Sequence, residues 1–248
     1  MKNTIVLHIP KTAGSTLRTF IGKSNCISYE IASKDYVVPI SNSYTNEGKS
    51  INEYLTNENQ IFIGHVVFDS RFIENFNLYT IVRDPVDHFI SFLLFCYFKT
   101  YKKRKKNINN LSCMKINYGF LLNMTEDDLI KIKTMIKNGD CVSNPFVKTI
   151  AGIPYHKFFF DMNDQKIDED IYLKAKKNLQ FFKFIGHTKQ YSLFLDRFIY
   201  DHELEDIKTQ NEKVMKYDQQ YIKYLKDELS DVVREYNFWD VKLLDDIL

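Results

Sequence analysis

Short blocks of apolar, β-favouring residues alternate with amphipathic stretches along this chain. The run Ile5-Val6-Leu7-His8-Ile9 opens the series and ends in a tight turn, Pro10-Lys11-Thr12-Ala13-Gly14-Ser15-Thr16. A helical pattern, Leu17-Arg18-Thr19-Phe20-Ile21, follows at once. The compact apolar run at 60–65, ending in Gly64-His65, predicts a second strand, and 78–83 a third. Asp84 is a predicted N-cap and Pro85 a first helical residue for a largely apolar helix over 86–98. Thr125-Glu126-Asp127-Asp128 starts another helix with a capping-box pattern. Its apolar face is Leu129, Ile132, Met135 and Ile136, and its C-cap Gly139. Residues 144–152, 168–182 and 190–200 read as helical or helix-flanking, 182–187 as a fourth strand, and 215–236 as a long helix before a short tail. The stretch 22–60 is polar and weakly periodic, with a short helix at 51–55. Strands alternating with helices predict an α/β domain whose parallel sheet is covered on both faces. Without repeat or linker, residues 1–248 read as a single domain.

Composition narrows the classes. A length of 248 residues with 44% hydrophobic and 15% aromatic content supports a substantial core. The formal net charge of +2 is too balanced to suggest a nucleic-acid partner. Cys26, Cys96, Cys113 and Cys141 form no C-x-x-C pair and read as thiols of a reducing compartment. The longest apolar run, 89–98, is too short to span a bilayer, and no secretory signal precedes the first strand. The expectation is a cytoplasmic protein without a transmembrane segment. Abundant Lys, Asn and Ile suggest a bacterial, AT-rich source. Oligomeric state is not legible.

The opening turn carries the first chemistry. A strand, a small-residue turn and a helix N-terminus make an anion cradle, because unpaired N–H groups and the helix dipole face outward together. Gly14 lets the backbone approach a ligand, Lys11 adds a full charge, and Ser15 and Thr16 can cap the helix or bind oxygens. The Walker signature places Lys after its second Gly, whereas Lys11 precedes the single Gly14, which disfavours an ordinary P-loop nucleotidase. The second motif is Arg83-Asp84-Pro85 with Ser91 two turns further on. A guanidinium at a strand end and a hydroxyl on the adjoining helix can share one phosphate.

Lys11-Thr12-Ala13-Gly14-Ser15-Thr16 resembles the 5′-phosphosulfate loop of sulfotransferases that use 3′-phosphoadenosine 5′-phosphosulfate (PAPS) as donor. Arg83-Asp84-Pro85 with Ser91 resembles their 3′-phosphate motif, Arg-Asp-Pro-x-x-Arg-x-x-Ser, with His88 in place of the second Arg. Ile61-Phe62-Ile63-Gly64-His65-Val66 resembles the strand-end histidine of heparan sulfate 2-O-sulfotransferase and related bacterial glycan sulfotransferases. The resemblance implies a three-layer, P-loop-like α/β fold with a central parallel sheet flanked by helices, and PAPS as cosubstrate. His65 would be general base, as an imidazole with an unperturbed pKa of about 6.5 can be. Lys11 would be catalytic. Lys11, Thr12, Ala13, Gly14, Ser15 and Thr16 would hold the phosphosulfate end, and Arg83 and Ser91 the 3′-phosphate. Lys213, in Asn211-Glu212-Lys213, would be a further phosphate contact. Weaker matches are 184–188, where Lys189 replaces the usual Glu, Asn144 with Gly152 near an acceptor cleft, and 240–243.

The reaction implied is in-line sulfuryl transfer to a hydroxyl of an acceptor, a glycan or glycan precursor. No metal-ligand spacing is visible. The basic stretch from Lys99 to Lys106 is either a solvated loop or a landing surface for an anionic acceptor. Two other readings stay open: a nucleotide-dependent kinase using the same cradle, and a binding module without catalysis. Were His65 not the base, Glu30, His8 and His88 are next in line.

Overall fold

The computed structural model describes residues 2–24, 28–33, 36–39, 49–50, 60–104, 126–154, 165–204 and 219–248. Strand β1 (Asn3–Leu7) is flanked by β5 (Ile61–Gly64) and β6 (Phe76–Val82), with β7 (Phe182–His187) beyond β6, and all four run parallel. On the other side β2 (Ser28–Ser33) pairs parallel with β5, and β3 (Tyr36–Pro39) and β4 (Lys49–Ser50) add an antiparallel edge. The order is β4-β3-β2-β5-β1-β6-β7. All five β1 residues are buried, as a strand covered on both faces requires.

Alternation along the strands assigns the two faces. Val6, Ile61, Ile63, Tyr79 and Ile81 pack with Leu17, Phe20 and Ile21 of α1 (Gly14–Lys23) and with Phe194 and Phe198. The latter two belong to α7 (Tyr191–His202). Gly186 admits Phe194 onto β7: a Cβ there would stand 2.3 Å from the Phe194 ring. On the opposite face Ile5, Leu7, Phe62 and Leu78 pack with Phe68 and Phe76. Nearby, Ile9 and Val82 meet α5 (Pro145–Ala151), α6 (Glu169–Asn178) and α9 (Phe238–Ile247). The short α2 (Phe72–Asn75) leads into β6. A fourth cluster is helix on helix: α3 (Pro85–Arg104), α4 (Glu126–Asn138) and α8 (Gln219–Tyr236) meet through Phe89, Leu93, Leu129, Ile132, Leu225 and Leu229.

The structure thus bears out an α/β fold with a parallel central sheet flanked by helices. It corrects three local readings and subdivides a fourth that it bears out as helical. The polar stretch 22–60 contains β2, β3 and β4, while the short helix read at 51–55 lies outside the described residues. Helix α3 runs through the first half of the basic stretch to Arg104, since Lys and Arg are good helix formers and favour the last turn. Residues 168–182 divide into α6 and a 3₁₀ turn, Leu179–Phe181. The expected C-terminal tail is helix α9, whose Leu243 and Leu244 are buried in the core. No helix among the described residues is long and apolar enough to cross a membrane.

Candidate functional site

Parallel strands present their ligands at their C-terminal edge, and the edge here is dense with chemistry. The paired strand ends Leu7↔Gly64 and Val82↔His187 bring His8, His65, Arg83 and His187 to one rim. The turn after β1 departs from ordinary backbone: Lys11 (φ 69°) and Ala13 (φ 64°) both sit in the left-handed region. Each such residue costs about 1–2 kcal/mol and persists only where its surroundings hold it. Three bonds do so. The Thr12 hydroxyl donates to the Ile9 carbonyl at 2.8 Å. Arg83 Nη1 donates to the Lys11 carbonyl at 3.1 Å. His88 Nε2 donates to the Pro10 carbonyl at 2.8 Å.

Helix α1 begins at Gly14, behind Ala13 in N-cap position. Its first turn-closing bonds run from Thr16 and Leu17 N–H to the Ala13 carbonyl. The Gly14 and Ser15 amides precede them and have no carbonyl one turn back, which is the anion-facing arrangement expected of a helix start. Ser15 is partly exposed; Thr12 and Thr16 are buried, so Thr12 acts here through its bond to Ile9. The Lys11 ammonium lies over the Phe95 ring of α3, 4.3 Å from its centroid, a contact worth about 0.5–1 kcal/mol at an accessible site.

His65 is exposed just past β5. Its Nδ1 lies 2.8 Å from the His8 carbonyl. A carbonyl only accepts, so Nδ1 carries the proton and Nε2 is the basic nitrogen of the neutral ring. The segment after His65 is braced from α5: Phe68 N–H donates to the Thr149 carbonyl at 2.8 Å. Gly152 (φ 77°) permits that approach, because a Cβ there would stand 2.5 Å from the Phe68 carbonyl oxygen. Asn144 is buried: its Oδ1 accepts from Asp240 N–H, and its main-chain N–H donates to Asn237 Oδ1. Asp240 caps α5 through the Phe146 and Val147 amides at 3.1 and 2.8 Å. Asn144 and Asp240 therefore hold the start of α5, and Gly152 its contact with the segment after His65.

Electrostatics at the rim follow from burial. Burial lowers the His88 pKa to about 4, helped by Arg83 and Lys11 and opposed by its bond to Pro10, so the ring is neutral. Burial weighs against the Arg83 charge, with Asp87 and Asp84 offsetting part of that. Asp84 caps α3 through the Val86 and Asp87 amides at 2.9 and 3.1 Å. Burial pushes Asp84 up, yet those amides and Arg234 outweigh it and hold the carboxyl below its usual range.

The structure thus gathers Lys11, Thr12, Ala13, Gly14, Ser15, Thr16, His65 and Arg83 at one rim, with Ser91 two turns along α3. Lys213 lies outside the described residues. Sequence reasoning gave no role to His187, which is 8% exposed and accepts the Lys189 N–H at Nδ1. It held His8 only as a reserve base. The available signal was position: His187 ends β7 and His8 is the first residue past β1. Among the described residues no group of three or more His, Cys, Asp or Glu side chains could hold a metal ion. No protein-family model matches the chain, and no curated protein matches it.

Proposed function

We propose that the chain is a PAPS-dependent O-sulfotransferase with a P-loop-like fold, acting on a hydroxyl of a carbohydrate acceptor. One observation carries the reading: a strained, lysine-bearing turn, a tautomer-fixed histidine and a strand-end arginine meet at one edge of a parallel sheet. The turn suits a tetrahedral anion, since Gly14 has no Cβ, the Gly14 and Ser15 amides open the helix, and Lys11 and Arg83 supply charge. A donor with phosphates at both ends suits a site that offers anion-binding groups in both the turn and the strand-end arginine.

His65 Nε2 takes the proton of the acceptor hydroxyl as that oxygen attacks sulfur. The bond between sulfur and the bridging oxygen breaks, and 3′-phosphoadenosine 5′-phosphate leaves with the electron pair. Lys11, swung from Phe95, neutralises the charge on the bridging oxygen. His88 and Arg83 hold the Pro10 and Lys11 carbonyls and so keep the turn in its strained form.

The test is ligand linkage followed by turnover. At 100 times its dissociation constant, 3′-phosphoadenosine 5′-phosphate should add about 2.7 kcal/mol to stability, a rise of about 5–10 °C in Tm for a chain of this size. ATP should add much less. Lys11→Ala and His65→Ala should each lower transfer to a glycan hydroxyl by about 10²-fold or more, with His65→Ala retaining the Tm shift. A larger shift with ATP would favour a kinase, and normal turnover in His65→Ala would move the base elsewhere.

A further inference from the structure

His8 is the first residue past β1, and its main chain and side chain serve the same neighbour. Its N–H donates to the Gly64 carbonyl at 2.8 Å, and its own carbonyl accepts His65 Nδ1. Its ring stacks on the His65 ring, with centroids 4.4 Å apart and planes 26° from parallel. The opposite side of the space is closed by α1: a Cβ built on Gly14 would stand 1.9 Å from His8 Nε2. The imidazole of His8 is therefore a spacer, with the start of the anion-binding helix at its edge and the His65 ring on its face.

We propose that His8 is the positioning residue of His65, its ring fixing the plane of the His65 imidazole relative to the anion-binding turn. The inference rests on the reading of His65 as the general base. The bond from Nδ1 to the His8 carbonyl fixes one point of the His65 ring and not its plane. The stacked His8 ring sets that plane and keeps Nδ1 on the carbonyl. The charged groups facing His8 are Lys11 of the turn, Arg18 of α1 and His65 itself. With burial foremost, they hold His8 neutral, its pKa lowered to about 3. His65 therefore stacks against a neutral aromatic face.

The experiment is the tautomer of His65, read from long-range proton–nitrogen NMR spectra of nitrogen-15-labelled protein, with His65→Gln supplying the assignment. In the native chain at high pH His65 should show the Nδ1–H form, which free histidine disfavours. His8→Ala and the bulkier His8→Asn should both show admixture of the Nε2–H form, and His8→Phe, which keeps a stacked face, should restore Nδ1–H. With donor and acceptor, His8→Ala and His8→Asn should lower kcat about tenfold at unchanged donor KM, a fraction of the 10²–10⁴ expected of a lost base. Pure Nδ1–H spectra in both His8→Ala and His8→Asn would overturn the proposal. So would a His8→Phe protein that behaves as His8→Ala does. The tautomer needs no turnover to be read, so it decides the role of His8 even if the chain transfers no sulfuryl group.

Discussion

Alanine at position 14 puts the contact between the turn and the His8 ring under direct load. The new Cβ would stand 1.9 Å from His8 Nε2, 2.0 Å from Cδ2 and 2.4 Å from Cε1. Carbon contacts settle at about 3.5–4.0 Å, so the imidazole must retreat by about 1.5 Å. It cannot do so and keep its 4.4 Å stack on His65. Overpacking of this kind costs about 1–3 kcal/mol. Alanine returns part of that as the better helix former, by at most about 1 kcal/mol, and less at the first residue of α1. The net expectation is a loss of about 1–2 kcal/mol, or a fall of about 2–8 °C in Tm at 2–4 °C per kcal/mol.

The assay is urea unfolding followed by circular dichroism on the native chain, Gly14→Ala, His8→Ala and the double variant. In the double variant the added methyl occupies space the imidazole has left, so the two losses should not add. A coupling of about 1–2 kcal/mol in the favourable direction is expected of residues in contact. A Gly14→Ala protein as stable as the native chain, or strictly additive losses, would refute the packing argument.

Two further substitutions probe the rim. Arg83→Lys removes the planar fork that reaches the Lys11 carbonyl; affinity for 3′-phosphoadenosine 5′-phosphate, measured by titration calorimetry, should fall about tenfold or more, the 1.5–3 kcal/mol of a hydrogen bond to a charged group. His88→Gln keeps an amide donor for the Pro10 carbonyl but cannot titrate. His88 is neutral when folded, with a pKa of about 4, and near 6.5 when unfolded. The unfolded chain therefore binds the extra proton between those values, and stability is lost as pH falls through that window. By pH 5 this amounts to about 2 kcal/mol, and His88→Gln should remove that share of the acid sensitivity in denaturant titrations. Asp240, which burial pushes up to about 7, leans the other way in the same range, so the comparison with the native chain isolates the histidine. An unchanged pH dependence in His88→Gln would show that this ring is not held neutral.

The parts of the fold that were readable are those where periodicity and chemistry agree. β1, β5, β6 and β7 are apolar runs closed by Gly, His or Arg, and Asp84-Pro85 announces α3 with a cap and a preset φ. Strands β2 to β4 were hidden because their stretch is polar and weakly periodic, with no continuous apolar run; pairing to neighbours, which no local pattern announces, is what makes them strands. Helix α9 was missed for a different reason. Its signal is the spacing Trp239, Leu243, Ile247 at i, i+4 and i+8, which a short segment at the chain end does not advertise. Burial of Asp240 there reads as polar from sequence, although the carboxylate is spent on the α5 amides. The site divides the same way. Lys11, Gly14, His65 and Arg83 stand in contiguous motifs, whereas the role of His8 depends on a ring stack between residues 57 positions apart.

His88, which stands where the resembled motif has an arginine, has a structural role of its own in the turn. In a peptide the C=O and the following N–H are antiparallel, so a donor that holds the Pro10 carbonyl toward α3 turns the Lys11 N–H away from α3. Arg83 does the same to the Lys11 carbonyl and the Thr12 amide. A guanidinium at position 88 would bring a second charge beside Arg83 and Lys11, while a neutral imidazole supplies the donor without that repulsion. His88 thus controls the peptides that shape the turn without adding a charge. His8 is its counterpart on the other side, where an uncharged ring separates the turn from His65. Two neutral histidines then bracket the cradle, and its positive charge is concentrated in Lys11 and Arg83, the groups best placed to meet an incoming anion.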